Sequence, residues 1–241
     1  MRRGSLVRVV AIGVVVGIAA TFVAILVPWL PERASEEGKR IDFVFWFTTG
    51  ICIVIFAVVA AISVYSVFKF RVRPDDDSDG PPIHGHTGLE IAWTAIPAAL
   101  VTAIAVVSAV ALAQNANLPK DKLVVDVTAR QFAWSFKYPQ YGNIESGTLR
   151  LQNHRGTQLR LRALDVIHSF FVPEFRQKQD AVPGQVTRLP ITPTKTGDYP
   201  LLCTELCGLG HALMRTRAIV MNPDDFEQWA RSQQQSAGSG S

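Results

Sequence analysis

Charge is missing from three long stretches of this chain. Residues 9–30, 43–68 and 91–113 run for 22, 26 and 23 residues without one Asp, Glu, Lys or Arg. Helices buried in a soluble protein rarely lack a polar face over such lengths, so a wholly soluble fold is disfavoured. At about 1.5 Å per helical residue, even the shortest reaches ~33 Å, enough for a hydrocarbon core of about 30 Å. Other absences narrow the reading. No internal repeat is visible, and no concentrated basic stripe accompanies the net charge of +4, which argues against nucleic acid. Only three cysteines occur; Cys52 lies inside the second apolar run and reads as a small apolar residue. After the first run, residues 31–35 make a poor small-residue cleavage site, and no Cys follows for lipidation. The run also exceeds the roughly 7–15 residues of a signal core. A retained anchor helix is favoured over a cleaved signal, with both left open.

Cations are present at the flanks. Arg2, Arg3 and Arg8 precede the first run, and Lys69, Arg71 and Arg73 follow the second, which marks both flanks as cytoplasmic. Everything after the third run then lies outside: the expected location is the plasma membrane of a bacterium, multi-pass, with the C-terminal domain on the periplasmic face.

Beyond residue 118 the apolar runs give way to alternation. Residues 123–136, 148–151, 158–162 and 215–220 read as half-buried strands. Turn residues at 139–142, 153–156, 183–184 and 193–197 give the spacing of an antiparallel sandwich. One helix is expected over 226–231, capped by Asn222, Pro223, Asp224 and Asp225. The Gln, Ser and Gly of 232–241 predict a disordered tail. The expected division is 1–42 for the signal or anchor helix and its outer loop, 43–118 for a transmembrane helical hairpin, 119–231 for the β domain and 232–241 for the tail.

Within 203–214 the sequence places Cys203, Cys207, His211 and Met214 at spacings of four, four and three. On a helix these would form a buried stripe, but Gly208 and Gly210 argue for a loop between strands, where sites commonly sit. Thiolate, thioether and imidazole together select copper; zinc suits the Cys and His but not Met. A Cys203–Cys207 disulfide in metal-free protein is the main competitor, since the compartment is oxidising. A mononuclear blue-copper site needs one Cys, so the second thiol is surplus to it. Two bridging thiolates can hold two coppers, with His168 and His211 on one metal each, Met214 on one side and the Glu205 carbonyl on the other.

These residues resemble subunit II of cytochrome c oxidase, over roughly residues 40–231. The signature is the Cys-x-Glu-x-Cys-x-x-x-His-x-x-Met run with an upstream Asp165-Val166-Ile167-His168-Ser169-Phe170. The resemblance implies a membrane-anchored all-β protein: a transmembrane helical hairpin, an additional N-terminal helix or signal, and a cupredoxin-like Greek-key β-sandwich. It implies a dinuclear copper centre held by His168, Cys203, the Glu205 backbone oxygen, Cys207, His211 and Met214. Glu205 and Asp180, with Asp165, are implied behind those ligands or at a magnesium or manganese ion shared with subunit I. The run from Leu89 to Pro97 resembles the start of the family's second transmembrane helix, and Glu90 would be the entrance of a proton path.

Two departures bear on mechanism. Where the family usually has a Trp that accepts electrons from cytochrome c, the alignment puts Phe132, with Trp134 more interior. From 115 onward there are 15 Lys plus Arg against 11 Asp plus Glu, so steering of a basic donor would be weak. The expected donor is an acidic soluble cytochrome or a membrane-bound one, and the expected partners are subunit I and other oxidase subunits. The chain itself would relay electrons and do no oxygen chemistry. Rival readings are a copper-delivery or assembly protein, a copper-free quinol oxidase subunit, the copper domain of nitrous oxide reductase and a free-standing redox module. The complete ligand set, the strand-rich domain, the extra spans and the chain's length speak against them. His84, His86 and His154 read as loop or turn residues.

Overall fold

The computed structural model describes residues 3–71, 80 and 82–238. Arg2, Arg73 and the end of the tail lie outside the described residues. The chain divides into two compact units: residues 1–29 with 43–110, and residues 30–42 with 111–241.

The three apolar runs are helices long and apolar enough to cross a membrane: α1 (Arg3–Leu26), α2 (Glu36–Lys69) and α3 (Thr87–Asn115). α1 ends before Pro28, since a residue preceding proline is pushed out of the helical region. Small residues let α1 and α2 approach. A methyl group added at Gly13 would touch Ala61 at 3.5 Å, and one at Gly17 would touch Ala57 at 3.6 Å, a packing mode suited to lipid, where close van der Waals contact drives association. At the start of α3, Glu90 Oε1 accepts the His86 N–H at 3.1 Å and His86 Nδ1 accepts the Leu89 N–H at 3.3 Å, which satisfies two of the helix's orphan donors.

The second unit is a β-sandwich. Its strands are β1 (Leu123–Arg130), β2 (Ala133–Tyr138), β3 (Ile144–Ser146), β4 (Leu149–Gln152), β5 (Thr157–Ala163), β6 (His168–Phe171), β7 (Lys178–Ala181), β8 (Thr187–Ile191), β9 (Gly197–Cys203) and β10 (Arg215–Met221). One sheet has the order β3-β2-β1-β5-β8, the other β4-β10-β9-β6-β7. Alternation buries Leu123, Val125, Val127 and Ala129 of β1 and Leu159, Leu161 and Ala163 of β5 between the layers. Aromatics fill the rest, among them Phe136, Phe170 and Phe175; each contributes roughly 2–3 kcal/mol by leaving water.

The sequence expectation needs three corrections. Residues 123–136 are not one strand but a hairpin: β1 and β2 pair antiparallel with Arg130 opposite Ala133, so Gln131 and Phe132 form the turn without any Gly, Pro or Asn to announce it. The sheets are mixed rather than antiparallel, because β1 runs parallel to β5 and β10 parallel to β4. The C-terminal helix α4 covers Pro223–Gly238, further than expected. Beyond Arg231, Gln and Ala sustain the helix, and the Ser232 and Ser236 hydroxyls bond back to the carbonyls of Trp229 and Ser232.

Residues 30–42 strap the sandwich. Ala34 is buried in its core, Ser35 bridges to Pro193, and the Glu37 carboxylate accepts the Thr192 N–H at 2.9 Å. Asp42 accepts from Arg176 Nε at 2.7 Å.

Candidate metal centre

The donors come from one strand start and one loop. β9 ends on Cys203, β10 begins at Arg215, and the loop between them closes through the Cys203 N–H to the Met214 carbonyl at 3.1 Å. A single 3-10 turn, His211–Leu213, lies inside it. β6 pairs with β9, with Phe170 opposite Cys203, and this pairing brings His168, the first residue of β6, to the loop. His168, Cys203 and Cys207 offer ligand atoms all within 4.8 Å of one another, and all three residues are buried. The two Sγ atoms are 4.0 Å apart, about twice a disulfide bond, and both thiols are free. His168 Nδ1 lies 3.9 Å from Cys203 Sγ, and His211 Nδ1 lies 3.6 Å from Cys207 Sγ. Met214 Sδ is 3.8 Å from Cys207 Sγ, and the Glu205 carbonyl is 3.4 Å from Cys203 Sγ. Every expected donor is therefore gathered in one place.

Electrostatics prepare His168. Its Nε2 is 2.8 Å from Asp165 Oδ1; with a carboxylate as acceptor, Nε2 carries the proton and Nδ1 turns its lone pair toward the sulfur. Burial raises the Asp165 carboxyl, but hydrogen bonds from the Gln131 N–H, the His168 ring and the Val166 N–H outweigh it and hold the pKa at about 2. Burial first, then the charge and hydrogen bond of Cys203, pushes the Cys207 thiol up to about 11. The Cys207 thiol therefore stays protonated until a cation offsets its charge. The donor chemistry fits copper: soft sulfurs and imidazole nitrogens converge on buried Cys203, Cys207 and Met214, with thioether and carbonyl as weaker donors. Trp134 walls the pocket, its ring edge-on to His168 and Phe170 at centroid distances of 6.2 and 5.9 Å.

The other expected residues fall as follows. Phe132 is 40% exposed and Trp134 only 5%, so Phe132 is the aromatic at the surface and Trp134 the interior one. Phe132 lies on the metal loop: a methyl group at Gly210 would meet its ring at 2.5 Å. Asp180, on β7, accepts the Ser169 hydroxyl at 2.7 Å, beside His168. The Glu205 side chain is exposed, and among the described residues no hydrogen bond or ion pair joins it to Asp180. Glu90 belongs to the helical unit, where it caps α3. Sequence reasoning missed Gln131, whose side-chain Nε2 donates to the Cys207 carbonyl at 2.5 Å; only its place in the β1–β2 turn could have pointed to it. It also missed the apolar rim of Leu206, Leu209 and Leu213, all prominently exposed around the loop.

Fold and site together define a membrane-anchored cupredoxin whose metal pocket has two thiols and two imidazoles. The family described as cytochrome c oxidase subunit II, periplasmic domain, matches residues 149–222, and its transmembrane-domain counterpart matches residues 25–110. Cytochrome c oxidase subunit 2 of Thermostichus vulcanus is 36% identical over 92% of this chain and 84% of its own length. The Synechocystis subunit 2 is 32% identical over 94% and 82%. The periplasmic domain of subunit II from Bradyrhizobium japonicum, a solved structure 27% identical, covers 50% of this chain and 99% of its own, with a TM-score of 0.47. The chain belongs to the subunit II family of cytochrome c oxidase, and so to an oxidoreductase complex of the membrane.

Proposed function

We propose that His168, Cys203, Cys207, His211, Met214 and the Glu205 carbonyl hold a dinuclear copper centre, and that this chain receives electrons there from a cytochrome c for a haem in subunit I. When bound, a copper pair would supply a one-electron carrier. The residues do the rest. Cys203 and Cys207 give up their protons to become ligands, Asp165 keeps His168 in the tautomer whose Nδ1 faces sulfur, and Trp134 and Phe170 keep water away. Phe132 offers the donor a van der Waals contact next to the loop. The observation that carries this reading is the pair of buried sulfurs 4.0 Å apart, each facing an imidazole Nδ1. The test is paramagnetic resonance of copper-loaded full-length chain: hyperfine splitting from two equivalent nuclei is expected, and splitting from one nucleus overturns it.

The likeness to the family extends the proposal to location and partners. The bacterial plasma membrane is the proposed location, with the β domain outside. Glu205 and Asp180 contribute to a magnesium or manganese ion shared with subunit I, and Glu90 opens a proton path toward that subunit. Apolar Leu206, Leu209 and Leu213 around the loop, with a net positive β domain, suit an acidic or membrane-tethered cytochrome better than a basic one. Oxidation rates with a basic cytochrome should vary little with salt; a steep fall with such a cytochrome as ionic strength rises counts against the acidic or tethered donor.

A further inference from the structure

We propose that Gln131 is a positioning residue for the metal loop, locking the Cys207 half of the site to the His168 half; this rests on the copper reading above. The two halves lie on different parts of the fold. His168 stands on β6 behind Asp165, whereas Cys207, Gly208 and His211 belong to a loop with little regular structure. Gln131 touches both. Its backbone N–H donates to Asp165 Oδ2 at 2.6 Å, and its side-chain amide donates to the Cys207 carbonyl. One residue in a two-residue hairpin turn thus holds the carboxylate that orients His168 and the peptide that carries the second thiol.

The close approach on the loop side is independent support. Gly208 has φ +133°, a conformation side chains rarely adopt, and a methyl group there would meet Gln131 Nε2 at 2.8 Å and the Phe132 ring at 3.2 Å. Gly210 leaves no room for a methyl under the same ring. Glycine at both positions lets the Gln131–Phe132 turn lie directly on the loop backbone. An amide donor on the Cys207 carbonyl also withdraws electron density from the peptide next to the sulfur. Removing it should therefore alter the electronic signature of the bound metal as well as the loop's position.

The test uses the full-length chain in detergent with two length-matched variants, Gln131→Met and Gln131→Glu. Neither can donate to the Cys207 carbonyl, and both retain the backbone N–H that reaches Asp165. Loaded with copper, both variants should release it to a chelator about 10- to 100-fold faster than the unmodified chain. Both should show altered hyperfine splitting and a shifted midpoint potential. Without metal, amide exchange across residues 204–214 should quicken in both variants while β1 and β5 stay protected. Unchanged release, splitting and potential would overturn the proposal, as would unchanged exchange in the loop. Loss of the whole fold in both variants would also overturn it, by assigning Gln131 to general stability. If the unmodified chain binds no copper pair, the copper reading fails, and the metal-free exchange experiment still decides the clamp.

Discussion

The two imidazoles of the site are held in opposite ways. His168 is fully buried at the start of a strand, paired to Asp165 and walled by Trp134. His211 is half-buried in a 3-10 turn, and among the described residues its ring has one hydrogen-bonding partner, Cys207 Sγ. Its neighbours Leu209 and Leu213 are 106% and 77% exposed. The sandwich therefore fixes one ligand before any metal arrives, and the loop brings the other. Rigidity on one side sets geometry, and exposure on the other leaves a surface for a partner.

The largest expected effect breaks the site without touching that asymmetry. Cys203→Ser or Cys207→Ser removes one of the two sulfurs proposed to hold the copper pair, so the two-nucleus splitting should vanish entirely and the copper content per chain should fall. Retention of the splitting in either variant would mean that the sulfurs do not bridge.

Histidine replacement tests the asymmetry directly. In the metal-free chain His168→Ala opens a cavity and takes away the ring partner of Asp165 Oδ1, at a cost of about 2–4 kcal/mol. His211→Ala removes a half-buried side chain and should cost under about 0.5 kcal/mol. Both variants should lose the copper signature, yet only the first should lower the thermal midpoint appreciably. Equal midpoints would show that His168 is no better anchored than His211.

A finer test concerns the loop's seat. Gly210→Ala pushes a methyl group into the Phe132 ring and should destabilise the loop by about 1–3 kcal/mol. Phe132→Ala in the same chain should relieve most of that strain, and a double-mutant cycle reads the coupling. Additive effects would mean that the ring does not rest on Gly210.

Legibility in the sequence followed the strength of the local signal. The apolar runs announced α1 to α3 because bilayer helices tolerate no polar face. The spacing of Cys203, Cys207, His211 and Met214 announced a loop because two glycines interrupt it. β6 to β9 were less visible: His168, Ser169 and Phe170 are buried in succession, with Phe171 half-buried, so β6 shows no alternation, and Pro190 and Pro200 stand within β8 and β9. Residues 31–42 looked like a loop, yet from Glu36 onward they open α2; several of the contacts that hold the segment are to residues 174–195, far along the chain. The Gln131 contact was hidden for the same reason, being set by where a hairpin turn lands and not by residue type.

The smallest expected effect on the copper signature lies at the other end of β2 and serves as a control for the site. Tyr138 is fully buried; its hydroxyl donates to the Arg150 carbonyl at 3.1 Å and accepts the Arg150 N–H at 2.7 Å. Burial pushes its pKa well above the ordinary tyrosine value, and the Arg150 contacts lower it only in part. A group whose folded pKa is raised contributes stability that is fully present below its unfolded pKa, about 10. That contribution drains away as pH climbs toward the folded value. The β domain should therefore lose stability above about pH 10. Tyr138→Phe should flatten that loss while costing about 1–3 kcal/mol at neutral pH, because the Arg150 N–H loses its acceptor. Copper splitting should be unchanged in the variant, and an alkaline slope as steep as that of the unmodified chain would show that Tyr138 does not govern it.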